Sequence, residues 1–271
     1  MGRGSSSPMV VLHLSDMHFS VAGFVPAYFT AFGDRVGDAA AFAARVVPAL
    51  LPEAVVVSGD LTDGKTPAGR GEQQPWEWEA YSAFLRNLTA AGVSESRIFD
   101  VRGNHDVFDV PVRGGPRDWY VSHGASGRRQ REGFLEVALL GDAGEKVESD
   151  ACPRLVLCGV DLAASPGFKS PADFAGHALP GQLRAVEVAL DEARAEAERR
   201  CGHEDETSPP LLAFSHFPPS SLFYPGSEPP HGALTAALRN LARSETSSRG
   251  LPETLLKGGV WARALLSGHL H

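Results

Sequence analysis

The 271-residue chain lacks several features that would place it among other classes of protein. No stretch approaches the roughly 18 uninterrupted apolar residues of a membrane-spanning helix, so no membrane segment is expected. Residues 1–8 are rich in Gly and Ser and lack the apolar core of a secretory signal, and a flexible tail is expected there. No internal repeat is found. We therefore expect one domain over residues 9–271.

Cysteine is scarce, and positive charge is outnumbered. The three cysteines, Cys152, Cys158 and Cys201, match no zinc-binding spacing, and an odd number is a poor basis for disulfides. We predict free thiols, with a Cys152–Cys158 bridge as the lesser alternative.

Lys and Arg number 25 against 33 Asp and Glu, which gives a formal net charge of −8. This balance argues against binding to nucleic acid, because that binding depends on Lys and Arg contacts to phosphates.

What the chain does contain is an alternation of strand and helix patterns. Short apolar runs predict strands at residues 9–14, 54–57, 97–101, 133–140, 154–160, 211–214 and 260–266. Apolar residues at helical spacing predict helices over residues 38–51, from Pro75 onwards, and over residues 182–200. Hydrophobic residues make up 43% of the chain, enough for a substantial core. The alternation predicts an α/β protein with mixed sheets.

Five of these apolar runs end in side chains that bind metals or transfer protons. The residues are Asp16 and His18; Asp60; Asn104, His105 and Asp106; His216; and His269 and His271. One such ending is common by chance, but five at the same end of a strand are not. Ligands of open α/β sheets bind outside the carboxyl ends of the strands. The pattern therefore predicts a functional site at this edge.

The residue types indicate which ions this site would hold. Asp, His and Asn form a set of oxygen and nitrogen ligands without sulfur, which suits manganese, iron or zinc. Seven candidate ligands are too many for one tetrahedral site, but they are enough for two adjacent metals if one carboxylate bridges them. Asp60 is our candidate for the bridge, because in sequence it lies between the Asp16/His18 pair and Asn104.

The order Asp-x-His, Gly-Asp, Gly-Asn-His-Asp, His and Gly-His-x-His resembles the signature of calcineurin-like metallophosphoesterases, and it spans residues 16–271. The resemblance implies a two-sheet β-sandwich flanked by helices (αββα), with a dinuclear metal site at the strand ends. It implies two divalent or mixed-valence ions of Mn, Fe or Zn. One would be held by Asp16, His18, Asp60 and His271, and the other by Asp60, Asn104, His216 and His269. It implies two catalytic residues, with His105 beside the phosphate and Asp106 orienting its ring.

The same resemblance implies hydrolysis of a small phosphomonoester or phosphodiester by a hydroxide shared between the two metals. The alternative is a catalytically weak, metal-bound scaffold or binding module of the same fold. No residue is assigned to substrate binding. Lys65 and Arg70, in the Gly-rich segment 61–74, are candidates for a phosphate contact, although a solvated loop explains them as well.

Four further stretches, at residues 59–66, 77–81, 103–111 and 159–167, resemble the branch of the family typified by transmembrane protein sixty-two. Those relatives carry membrane helices after the phosphoesterase domain. This resemblance leads us to expect that the domain is truncated at its C-terminal end. It also leads us to expect that flanking sequence would provide any membrane attachment.

Overall fold

The computed structural model describes residues 8–20, 34–66, 68–130, 134–141, 151–169, 175–201, 209–218, 222–223 and 262–269. The strands in these residues are β1 (Val11–Leu14), β2 (Ala54–Ser58), β3 (Ile98–Val101), β4 (Leu135–Leu140), β5 (Leu155–Val160), β6 (Gly176–His177), β7 (Leu211–Ser215), β8 (Leu222–Phe223) and β9 (Ala262–Ser267). The helices are α1 (Arg35–Arg45), α2 (Val47–Leu50), α3 (Pro75–Ala90), α4 (Tyr120–His123), α5 (Ala125–Arg129) and α6 (Pro180–Cys201).

Two sheets form the centre of the fold. The first contains three parallel strands in the order β1-β2-β3. The second has the order β4-β5-β7-β9, in which β4 is antiparallel and the other three strands run parallel to one another. A small pair, β6 with β8, lies apart from them. Because the parallel strands of each sheet end at one edge, the segments that follow them can meet there.

Three apolar clusters define the layers. Val56, Phe99, Leu157 and Phe214, from both sheets, belong to one buried cluster, which places the two sheets face to face. Residues of α1 and α3 pack with the first sheet in a second cluster, and residues of α6 pack with the second sheet in a third. The predicted α/β class, with a two-sheet sandwich between outer helices, is confirmed.

The helix predicted over residues 38–51 is two helices. The first helix, α1, begins at Arg35, three residues earlier than expected, because Oδ1 of the preceding Asp34 accepts a hydrogen bond of 3.0 Å from the Gly37 amide. The chain ends α1 at Arg45 and starts α2 at Val47. Pro48 explains the break, since proline has no amide hydrogen with which to continue the helical ladder.

The prediction of three free thiols is wrong. Cys152 and Cys201 form a disulfide across 49 positions of sequence. The physical reason is the packing of α6 on β4 and β5, which brings the last residue of the helix beside the chain that enters β5. Cys158 is the free cysteine. It is buried in β5, and burial raises the pKa of its thiol to about 12.

A buried ionic cluster connects the two sheets beside their carboxyl ends. Arg102 follows β3 and is 1% exposed; its Nε lies 2.6 Å from Asp161 Oδ2, directly after β5. Its Nη1 lies 2.5 Å from Asp118 Oδ2. Arg113 adds a second cation, with Nη1 2.7 Å from Asp161 Oδ2. The cluster holds the end of β3 against the end of β5.

Candidate metal centre

The segments that follow β1 and β2 are joined by backbone hydrogen bonds. The Asp16 amide donates to the Gly59 carbonyl at 3.0 Å, and the His18 amide donates to the Asp60 carbonyl at 2.8 Å. On the second sheet, the Gly268 amide donates to the His216 carbonyl at 3.0 Å. These bonds fix the candidate ligands of each sheet relative to one another before any side chain is considered.

Four of the candidate ligands have left-handed backbone conformations. The φ angles are 54° at Asp16, 44° at His18, 49° at Asp60 and 61° at His269. Residues other than glycine rarely adopt this region, and each such residue costs on the order of 1–3 kcal/mol. Strain of this kind is found where function requires a particular side-chain direction. Here it turns four side chains towards one place.

Two glycines let the ligand segments approach closely. A Cβ atom on Gly103 would lie 2.1 Å from Asp60 Oδ1 and 2.4 Å from the Asp60 amide nitrogen. A Cβ atom on Gly268 would lie 2.6 Å from Asp16 Oδ2. The glycines of the Gly-Asn-His-Asp and Gly-His motifs are therefore required by contact with the neighbouring ligand.

Among the described residues, atoms of metal-binding types come together in three groups, of which one is His18, Asp63 and His105 and the other two share Asp60. Atoms of Asp16, His18 and Asp60 lie within 4.8 Å of one another, and so do atoms of Asp60, His216 and His269. Asp60 Oδ2 is 3.5 Å from Nε2 of His18 and 3.5 Å from Nε2 of His216. Asp60 is fully buried, and its carboxylate lies between a histidine of the first sheet and one of the second.

The tautomer of His216 is set by its surroundings. Nδ1 lies 2.9 Å from the Ser58 carbonyl oxygen, which only accepts hydrogen bonds, so this nitrogen carries the proton. Nε2 then presents its lone pair, with Asn104 Oδ1 at 3.2 Å and His269 Nδ1 at 3.1 Å. A histidine fixed through one nitrogen, with the other deprotonated among oxygen and nitrogen donors, is the usual arrangement of a metal ligand.

The charge around Asp60 also fits a cation. Burial, and then the nearby carboxylates of Asp106 and Asp16, raise the pKa of Asp60 well above its usual range. Carboxylates this close and this buried ionise together only beside positive charge. Among the described residues, the site has the ligand types, the burial and the negative charge that a pair of metal ions would balance.

His105 is oriented differently from the expectation. Its Nδ1 lies 2.7 Å from the backbone carbonyl of Asp63, and Asp63 Oδ1 is 3.4 Å away. Burial alone would raise the pKa of Asp63, but its hydrogen bond with His105 and the Lys65 charge outweigh that effect and lower it to about 2. Asp63 therefore occupies the place beside the imidazole that we predicted for Asp106.

The prediction that Asp106 orients the His105 ring is corrected accordingly. The Asp106 carboxylate is buried and accepts hydrogen bonds from three backbone amides and one hydroxyl. The amides are those of Leu61 (3.1 Å), Thr62 (2.9 Å) and Gly103 (2.8 Å), and the hydroxyl is Thr62 Oγ1 (3.0 Å). Asp106 thus ties the turn after β2 to the turn after β3, because a short carboxylate at this position reaches the amides and not the ring.

Six of the seven predicted ligands lie in the described part of the chain, at the ends of β1, β2, β3, β7 and β9. His271 lies outside the described residues, as do residues 1–7 of the predicted tail. Sequence reasoning missed Asp63. The available signal was its position three residues after Asp60, in a turn already identified as part of the site. It also missed Gln73, which contacts the His105 carbonyl at 2.7 Å and which no motif includes.

The fold and the site define a class of protein. It is an α/β sandwich in which Asp, His and Asn side chains, the types that bind metals, lie together at the ends of its two sheets. The sequence model of the family described as calcineurin-like phosphoesterase matches residues 9–271. Because this match covers nearly the whole chain, the chain belongs to the calcineurin-like phosphoesterase family.

Individual relatives of the chain have low sequence identity to it. An Arabidopsis thaliana protein named as a metallophosphoesterase is 28% identical over 265 residues, which cover 96% of this chain and 29% of that protein. Transmembrane protein 62 of Mus musculus is 25% identical over 200 residues, 73% of this chain and 27% of that protein. The chain thus spans less than a third of the length of either relative.

Among solved structures, the purple acid phosphatase PPD1 from yellow lupin (Lupinus luteus) seeds is similar, with a TM-score of 0.35 and 19% identity. The match covers 78% of this chain and 31% of that one. Within the described residues, no helix combines the length and the apolar character needed to cross a membrane.

Proposed function

We propose that this domain is a metal-dependent phosphoesterase that hydrolyses a small phosphomonoester or phosphodiester. The observation that carries the proposal is the position of Asp60 Oδ2, 3.5 Å from Nε2 of a histidine on each sheet. A carboxylate in this position suits a bridge between two cations, the arrangement that enzymes use to clamp a phosphoryl group. Membership of the calcineurin-like family supports the same class of reaction.

The proposed ligands divide between the two cations. Asp16, His18 and Asp60, with His271, would hold one cation; Asp60, Asn104, His216 and His269 would hold the other. When bound, the pair supplies Lewis-acid chemistry, which withdraws electron density from the phosphoryl group and acidifies water. Ligands without sulfur favour Mn, Fe or Zn, as divalent or mixed-valence ions. Proton transfer is assigned to a side chain of the protein.

His105 is assigned the proton transfer. Nδ1 donates to the Asp63 carbonyl oxygen and so keeps its proton throughout, which leaves Nε2 as the ring atom that can give or take one. Nε2 lies 4.0 Å from Asp60 Oδ2, at the edge of the candidate metal centre. We assign this atom to protonate the leaving oxygen of the ester. Asp106 is assigned a structural role in the site, because its carboxylate accepts hydrogen bonds from the Gly103 and Leu61 amides.

The test combines metal analysis with turnover. The purified domain is loaded with Mn, Fe or Zn in turn and assayed against a panel of phosphomonoesters and phosphodiesters. Asp60→Asn should lose both bound metal and hydrolysis, whereas Asp38→Asn, a change at an exposed site on α1, should lose neither. His105→Ala should keep its metal and lose roughly 10²–10⁴ in rate.

Two results would contradict the proposal. Wild-type protein that binds metal and turns over no ester would favour the scaffold alternative. Loss of metal from His105→Ala would show that His105 is a ligand and not the residue that transfers the proton.

A further inference from the structure

Gln73 makes three hydrogen bonds that reach from the start of α3 into the candidate site. Its Nε2 lies 2.7 Å from the His105 carbonyl oxygen and 3.3 Å from the Phe108 carbonyl oxygen. Its Oε1 accepts a hydrogen bond of 2.8 Å from Trp78 Nε1. The side chain is buried, and it connects α3 with both ends of the turn that carries His105.

The direction of the Gln73 amide is determined by its neighbours. The indole N–H of Trp78 can only donate, and Trp78 is fully buried, so the amide must present its oxygen to that ring. The NH₂ group therefore faces the two backbone carbonyls, which can only accept. A reversed amide would place two acceptors together at His105 and two donors together at Trp78.

Gln73 provides one of the described contacts that fix the position of His105. The His105 amide donates to Asp60 Oδ1 at 3.0 Å, and its ring Nδ1 donates to the Asp63 carbonyl. Its own carbonyl oxygen is held by Gln73. Gly64 packs directly against that oxygen, because a Cβ atom on Gly64 would lie 2.2 Å from it. The Phe108 amide also reaches that oxygen, at a longer 3.4 Å, so Gln73 provides the shorter of the two described hydrogen bonds to the His105 carbonyl.

We infer that Gln73 is a positioning residue for His105. The inference rests on the proposed function, in which Nε2 of His105 protonates the leaving oxygen. Proton transfer requires the donor within hydrogen-bond reach of that oxygen, so a displaced ring slows this step without changing how the phosphate is bound. The described hydrogen bonds of Gln73 go to His105, Phe108 and Trp78 and to none of the candidate ligands, so Gln73 would act through the main chain of His105.

The sharpest variant is Gln73→Glu, which keeps the shape of the side chain and an acceptor for Trp78. It replaces the two donor hydrogens with a carboxylate oxygen facing two carbonyl oxygens. Gln73→Met removes the amide without adding charge and serves as the second variant. The matched control is Gln74→Glu, the same change at the next residue. Gln74 is also buried, and within the described part of the chain its Nε2 bonds only the nearby Glu72 carbonyl, at 3.0 Å.

The measurement compares two phosphoesters that differ in their leaving group. A p-nitrophenolate leaves readily without a proton, whereas an alkoxide needs one, so only the alkyl ester depends on proton donation. In Gln73→Glu and Gln73→Met, kcat for the alkyl ester should fall by about tenfold and kcat for the aryl ester by less than about twofold. KM and metal content should be unchanged. His105→Ala should show the same dependence more strongly, and Gln74→Glu should match the wild type.

An equal loss on both esters in the Gln73 variants, or a loss of the same size in Gln74→Glu, would overturn the inference. If His105→Ala in that case still slowed hydrolysis of the alkyl ester more than that of the aryl ester, the proposed function would stand. Absence of that dependence in His105→Ala, or a wild-type protein inactive on every ester, would overturn both.

Discussion

The buried cluster around Arg102 leads to a prediction about stability. Arg102→Met keeps much of the side-chain volume but removes the cation between Asp118 and Asp161, both of which are 2% exposed. Breaking a buried pair by removing one partner costs roughly 3–5 kcal/mol, because the remaining charge stays in a poorly solvating site. Arg113 still contacts Asp161, so only Asp118 loses its cation, and we expect the lower value, about 3 kcal/mol.

Urea unfolding followed by tryptophan fluorescence measures this loss as a lower midpoint with an unchanged slope. The control is Arg117→Met. Arg117 pairs with Asp109 at 3.0 Å, but its side chain is 55% exposed, so about 0–1 kcal/mol should be lost. Adding Asp118→Asn to Arg102→Met should recover part of the stability, since it removes the uncompensated carboxylate. A loss below about 1 kcal/mol for Arg102→Met, or one equal to the control, would refute the reasoning.

Two further predictions concern the disulfide and two buried tyrosines. The Cys152–Cys201 bridge closes a loop of 49 positions, which corresponds to about 4 kcal/mol of stabilisation in the chain-entropy description. Reductant should therefore lower the urea midpoint of the wild type and leave that of a Cys152→Ser, Cys201→Ser variant unchanged. Equal midpoints of the oxidised wild type and this variant would contradict the bridge. Burial, and then the Asp100 charge, raise the pKa of Tyr81 and of Tyr120 well above 10.0. The unfolded chain therefore releases these protons first, so stability should fall above pH 10 by up to about 1.4 kcal/mol per pH unit for each tyrosine, and Tyr81→Phe should reduce that slope.

The strand ends were predictable from sequence because their signal is local. An apolar run followed by Asp, Asn or His in a short turn requires only neighbouring residues, and Asp16, Asp60 and His216 were selected as candidate ligands in this way. Parallel strands then bring such turns to one edge, so the grouping of the candidate ligands followed from the fold class. The left-handed conformation at Asp16 and Asp60 could not be read from these residue types.

The roles of residues that act through space were not predictable in the same way. Asp63 and Asp106 each lie in a motif turn, and the sequence does not show which carboxylate reaches the imidazole of His105. The answer depends on how the turn after β2 folds over the turn after β3, with Asp106 capturing the Leu61 and Gly103 amides. The pairing of Cys152 with Cys201 likewise depends on the packing of α6 against the second sheet.

The division of the site between two sheets has a consequence for protein synthesis. Asp16, His18, Asp60, Asn104 and His105 all precede the candidate ligands of the second sheet by more than 100 residues. His269 donates its amide to the Asp16 carboxylate across 253 positions, and His216 bonds the Ser58 carbonyl across 158. His216 and His269 therefore cannot join the other candidate ligands until β7 and β9 have been synthesised. A nascent chain contains His105 long before it contains these two candidate ligands, so the proposed centre cannot be complete until translation has passed His269.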